Sequence, residues 1–159
     1  MVEIKKILVP IDFSDFSIRA LKYGVALARH FGAKICLLHV ISQELLNEIK
    51  TVRGFLGEDD PPGEFLARKK RDINEKIEKI VNGETDQTLF EGQLIEVGIP
   101  AEEIIRVAKE RKVDLVVIAT RGRSGLSHIL MGSVAEKVVR RSPCPVLSVR
   151  GKTEEGSAL

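Results

Sequence analysis

The sequence predicts an α/β fold built on one mainly parallel sheet with helices on both faces. Three observations lead there. The strand-like runs are short and continuously apolar rather than alternating, helical patterns separate them one by one, and a turn or polar segment follows each run. At 159 residues the chain is long enough for one domain with a substantial core and too short to favour two. No internal repeat is visible.

The first strand is read at 4–9, where Ile7, Leu8 and Val9 are consecutive. Ser14 or Asp15 caps a first helix whose apolar positions Ile18, Leu21, Val25 and Ala28 recur at helical spacing, and Gly32 marks its end. A second strand follows at 34–40. Residues 41–63 exceed an ordinary connection, and Glu58, Asp59, Asp60, Pro61 and Pro62 argue for a loop, with a short helix at 43–52 ahead of it. A charged helix is predicted over 64–81, with Leu66, Ile73, Ile77 and Ile80 on one stripe and Gly83 behind it. The third strand falls at 93–97. Pro100 suits the first position of the next helix, with Glu102 and Glu103 in the first turn, where the helix dipole favours acid. Strand four is the β-branched run at 115–119. Ser133 and Glu136 are spaced as a capping box and predict the start of the last helix. The fifth strand is read at 146–149, and 151–159 as a frayed tail.

In an open parallel sheet, ligands bind beyond the carboxyl ends of the strands. Two loops are candidates here. One follows the first strand and carries Pro10, Ile11 and Asp12; the other, after the fourth strand, carries Arg121, Gly122, Arg123, Gly125 and Gly132 and ends at the predicted helix start, Ser133. That helix end is electrostatically suited to phosphate. Asp12 either holds a ribose hydroxyl, helps hold a hydrated magnesium ion beside phosphates, or organises the turn into the first helix. The glycines either give close backbone approach to phosphate or serve turns at positive φ. No Gly-x-x-x-x-Gly-Lys-Ser/Thr occurs, and no Gly-x-Gly-x-x-Gly follows the first strand, which disfavours a P-loop NTPase and a dinucleotide fold.

Other classes are excluded more simply. A net charge of +2 makes nucleic-acid binding a poor expectation. No apolar run approaches the roughly 20 residues of a membrane span, and the N-terminus lacks the apolar core of a signal peptide, so a cytoplasmic protein is expected. Cys36 and Cys144 have neither zinc nor redox spacing and read as buried thiols. His30, His39 and His128 share no metal-ligand spacing; His39 reads as a packed strand residue and His128 as a solvated loop residue or a phosphate neighbour. Ser124, Ser127 and Ser133 have no relay partner in the same element, so no catalytic residue is assigned.

The residues at both loops resemble the universal stress protein family in its ATP-binding branch. Ile7, Leu8, Val9, Pro10, Ile11, Asp12, Phe13 and Ser14 look like the family's first strand and acidic turn, and Leu37, Leu38, His39 and Val40 like its second strand. ATP-binding members carry glycine, two residues, glycine, nine residues, then glycine and Ser or Thr; that register falls here on Ala119, Gly122, Gly132 and Ser133. The resemblance implies a five-stranded sheet in order 3-2-1-4-5 spanning residues 1–150. It implies that Pro10, Ile11 and Asp12 line adenosine, that Asp12 lies near ribose and Mg2+, and that Val40 contacts adenine. Arg121 would stand opposite Asp12, and Gly122, Arg123, Gly132, Ser133 and Val134 would surround the phosphates of ATP or AMP. Ala119 replaces the motif's first glycine, which costs about 1 to 2 kcal/mol if φ there is positive and only a methyl if it is negative. A homodimer through the strand at 145–149 is implied as well. The expected function is an adenine-nucleotide-dependent regulatory or stress-response switch. The alternatives are a nucleotide-independent dimeric interaction protein with an unknown protein partner, and a slow ATPase.

Overall fold

A computed structural model describes residues 1–57, 61, 63–121 and 131–151. Its five strands are β1 (Lys6–Pro10), β2 (Lys34–Ser42), β3 (Phe90–Gly98), β4 (Leu115–Ala119) and β5 (Val146–Val149). They form one sheet in the order β3-β2-β1-β4-β5, with every neighbouring pair parallel. The predicted fold class and strand order are therefore observed.

The continuous apolar runs reflect burial on both faces. Ile7, Leu8 and Val9 are fully buried, and all five residues of β4 are buried. One core fills the face covered by α1 (Asp15–Phe31) and α3 (Glu64–Asn82), where Leu21, Val25, Ile73 and Ile77 meet Ile7, Val9, Leu37 and Val117. A second core lies under α4 (Pro100–Glu110) and α5 (Ser133–Arg141), where Ile104, Val107 and Val138 meet Leu8, Leu38 and Val116. The chain changes face between β1 and β4, where the connections leave in opposite directions, and that point is where a ligand crevice is expected.

Helix α1 starts and stops as its sequence indicates. The Ser14 hydroxyl accepts from the Ser17 amide at 3.2 Å, which selects Ser14 over Asp15 as the cap, and Gly32 closes the helix at φ +66°. Pro100 is the first residue of α4, as predicted. Glu103 and Glu110 of that helix, with Glu96 of β3, hold the guanidinium of Arg106 and raise its pKa, the Glu103 hydrogen bond contributing most.

Several boundaries differ from the sequence reading. β1 begins at Lys6 rather than residue 4, whereas β2 and β3 run longer, pairing through Ser42 opposite Gly98 after a register shift at Ile35 and Cys36. Extending both strands supplies backbone partners that neither strand's own composition announces. Most of the long loop expected at 41–63 is also ordered secondary structure: β2 ends at Ser42, whose hydroxyl accepts from Leu45 N–H at 3.4 Å, and helix α2 runs over Gln43–Phe55, past the predicted end at 52. Leu46 is the only buried residue of α2. Cys36 and Cys144 are half-buried free thiols rather than fully buried ones, and burial pushes the Cys36 thiol above its ordinary value of 9.0. The tail at 152–159 lies outside the described residues.

Candidate functional site

At the carboxyl edge of the sheet, a cavity of about 560 Å³ opens between β2, β1, β4 and the first turns of α4 and α5. The β1–α1 turn forms one wall. Ile11 remains in register with β2 one residue past the strand, its N–H donating to Leu38 O at 2.8 Å. The chain then turns sharply, with Phe13 at φ +65°, a left-handed conformation that a bulky side chain rarely adopts. Asp12 holds this turn: its Oδ1 accepts from Ser14 N–H at 2.9 Å and from the Ser14 hydroxyl at 2.5 Å, and its own N–H donates to Ser17 Oγ at 3.3 Å. The turn-organising role weighed for Asp12 is thus observed. Asp12 also borders the cavity, so that role does not exhaust the residue.

The opposite wall is the start of α5, and here the capping box is not formed. Gly132 occupies the cap at φ −63° and ψ 152°, Ser133 is already the first helical residue, and among the described residues no side chain caps the helix. The Glu136 carboxylate binds Arg140 at 2.7 Å instead of reaching back. Ser-x-x-Glu is therefore displaced by one position from the geometry it resembles. Gly132 is not a positive-φ turn residue either. Its N–H donates to Thr120 O at 2.6 Å, and a Cβ at this position would stand 3.1 Å from that same oxygen. Close approach to β4, not backbone handedness, calls for glycine here. Ser133, Val134 and Ala135, whose amides fall in this uncapped first turn, all border the cavity.

Ala119 ends β4, paired with Val149, and Phe13 and Lys112 are the only non-glycine residues at positive φ among those described. Alanine in place of the motif glycine thus introduces a methyl and no backbone strain. Its residue is buried, 8 % exposed.

The structure brings Pro10, Ile11, Asp12, Val40, Ala119, Arg121, Gly132, Ser133 and Val134 around this single cavity. Gly122, Gly125, Arg123, Ser124, Ser127 and His128 lie outside the described residues. Sequence reasoning missed Ser17, Leu38, Ser42, Glu44, Pro100, Ile104, Ile118, Thr120 and Ala135, which also line the cavity. For Leu38 a signal existed: it shares a strand face with Val40. Pro100 and Ile104 carry no comparable mark, because a helix start after β3 reaches the cavity only through the strand order. Among the described residues no group of three or more His, Cys, Asp or Glu is placed to hold a metal ion. None of the described helices is long and apolar enough to cross a membrane.

Comparison with known proteins yields a consistent assignment. A family model described as the Universal stress protein family matches residues 3–150. Universal stress protein MJ0531 of Methanocaldococcus jannaschii is 33% identical over 153 residues, covering 95% of this chain and 85% of that protein. Universal stress protein MJ0577 of the same organism is 34% identical over 155 residues, covering 93% and 96%. The solved structure of MJ0577 superposes with a TM-score of 0.77, covering 96% of this chain and 100% of that one. A universal stress protein solved in complex with cAMP superposes with a TM-score of 0.56 at 27% identity, covering 91% and 95%. The chain belongs to the universal stress protein family.

Proposed function

We propose that the cavity binds an adenine nucleotide, ATP or AMP, and that occupancy makes the protein a nucleotide-dependent regulatory switch. The observation that carries this is the pairing of an uncapped helix start with an acidic turn across one crevice. First-turn amides of α5 present partial positive charge with no capping side chain among the described residues, which suits phosphate. Arg121, two residues beyond β4, lines the same cavity and adds charge there. Asp12 on the facing turn suits ribose hydroxyls. Between them Leu38, Val40, Pro100 and Ile104 offer an apolar slot for a base. The relative solved with cAMP supports an adenine nucleotide as the ligand class, as does the glycine register through Gly122, Gly132 and Ser133.

Magnesium fits this arrangement only as a companion of the nucleotide. Mg2+ is commonly held by one or two carboxylates with phosphates and water supplying the rest, and Asp12 is the carboxylate on the β1 side of the cavity. With Asp12 Oδ1 engaged by both the amide and the hydroxyl of Ser14, that side chain would meet the ion through water. No residue here is assigned as a catalytic base, so binding rather than turnover is the proposed activity, with slow hydrolysis as the most it would support. The domain proposed to do this is residues 1–150, in the cytoplasm. A homodimer through β5 completes the reading: among the described residues β5 pairs with β4 alone, which leaves its other edge unpaired.

Calorimetry with ATP, AMP and GTP tests the proposal. Saturable binding of ATP or AMP, lost in Asp12→Ala, is the expected result. Absence of binding by every adenine nucleotide at millimolar concentration would overturn it.

A further inference from the structure

His39 lies in β2 on the face away from the cavity's apolar slot: Leu38 and Val40 line that slot, while Leu37 and Ile41, which share the strand face of His39, belong to the core beneath α1 and α3. It nevertheless reaches the site. Its Nδ1 is 2.8 Å from Ile11 O, and because a carbonyl only accepts, Nδ1 carries the proton and donates. Ile11 N–H is already held by Leu38 O. Both backbone groups of Ile11 are therefore fixed by β2, one through the sheet ladder and the other through a side chain, at the last residue before the chain leaves the sheet. The imidazole also packs against Phe13, with ring centroids 4.9 Å apart and planes tilted by 34°, and Lys76 of α3 has its Nζ 5.5 Å from the centre of the Phe13 ring. Phe13 is the residue at φ +65°. One side chain thus contacts the residue on each side of Asp12.

We infer that His39 is a positioning residue for the cavity, setting the Asp12 carboxylate from the opposite face of the sheet by holding the Ile11 carbonyl and bracing the left-handed Phe13. Its consequence for affinity rests on the nucleotide-binding reading; its consequence for the turn does not. Packing alone would be satisfied by a leucine of similar volume. A positioning role requires the donor, which asparagine presents one bond beyond Cγ, close to where Nδ1 stands.

The test uses His39→Leu and His39→Asn in the full chain, read by amide hydrogen exchange without ligand and by calorimetry with Mg-ATP. In His39→Leu the Asp12 and Ser14 amides, which donate to Ser17 Oγ and Asp12 Oδ1, exchange about tenfold faster or more while those of Ile7 to Val9 keep their protection. Mg-ATP affinity falls about tenfold, His39→Asn stays within about threefold of the unmodified chain, and His39→Leu adds less than about twofold in an Asp12→Ala background. Unchanged exchange in His39→Leu overturns the inference, as does equal impairment by Asn and Leu, or a full additional loss in the Asp12→Ala background. If the unmodified chain binds neither ATP nor AMP while the exchange results hold, the nucleotide reading falls and the positioning role stands.

Discussion

Two helices begin at the same cavity and are finished in opposite ways. The start of α1 is closed by its own side chains: Ser14 caps Ser17, Asp12 binds Ser14 twice, and Ser17 Oγ returns to Ser14 O at 3.0 Å. The start of α5 has a glycine at the cap and, among the described residues, no side-chain cap. A helix end costs stability when its first amides are unsatisfied, so satisfying them internally is the default. The proposed anion site rests on this contrast: one start has a side-chain cap, and the other has none among the described residues. The capped end, in turn, holds a carboxylate in place.

Substitutions at the two starts should separate these roles. The largest effect is expected at Gly132→Val, whose branched side chain would be driven against Thr120 O. Overpacking of this kind costs about 1 to 3 kcal/mol, and thermal unfolding together with nucleotide calorimetry should show both a lower Tm and at least about tenfold weaker binding. A tolerated valine would mean that the α5 start is not pressed onto β4. Next comes Ser14→Ala, which removes a working cap and should cost about 1 kcal/mol in denaturant unfolding.

Ala119→Gly should lower stability by about 0.5 to 1 kcal/mol, because glycine in a strand loses more backbone freedom on folding and Ala119 needs no positive φ. A gain in stability would contradict the strand geometry at this position. The smallest effects are expected from Ser133→Ala and Glu136→Gln, each within about 0.5 kcal/mol in unfolding, since neither side chain caps α5 and Glu136 makes only an exposed pair with Arg140. Ser133→Ala should still weaken nucleotide binding. Equal destabilisation by Ser14→Ala and Ser133→Ala would erase the contrast between the two starts.

These same positions explain what was readable in the sequence. Ser14, Gly32 and Pro100 act through bonds within a few residues, so their local patterns gave the right helix ends. Gly132 answers to the Thr120 carbonyl, a partner twelve positions away that only the folded sheet brings to 3.1 Å of its absent Cβ. The Ser-x-x-Glu pattern, complete in sequence, was therefore read one residue late. Asp12, Arg121 and Ser133 were legible as candidates, and line the cavity, because polar groups and glycines after strands have few other uses. Pro100, Ile104 and Ile118 were not, since an apolar cavity wall and a core residue have the same composition. The ends of β2 and β3 were missed for a further reason: Ser42 and Gly98 are weak strand formers that extend because each has the other as its ladder partner.

The bond from Gly132 N–H to Thr120 O has one more implication. It joins the residue that follows β4 to the residue that caps α5. Lengthening a loop whose ends are already joined costs little, about 0.6 kcal/mol per doubling. A change of length between Thr120 and Gly132 should accordingly leave the sheet's stability almost unaltered, which denaturant unfolding of an insertion variant checks.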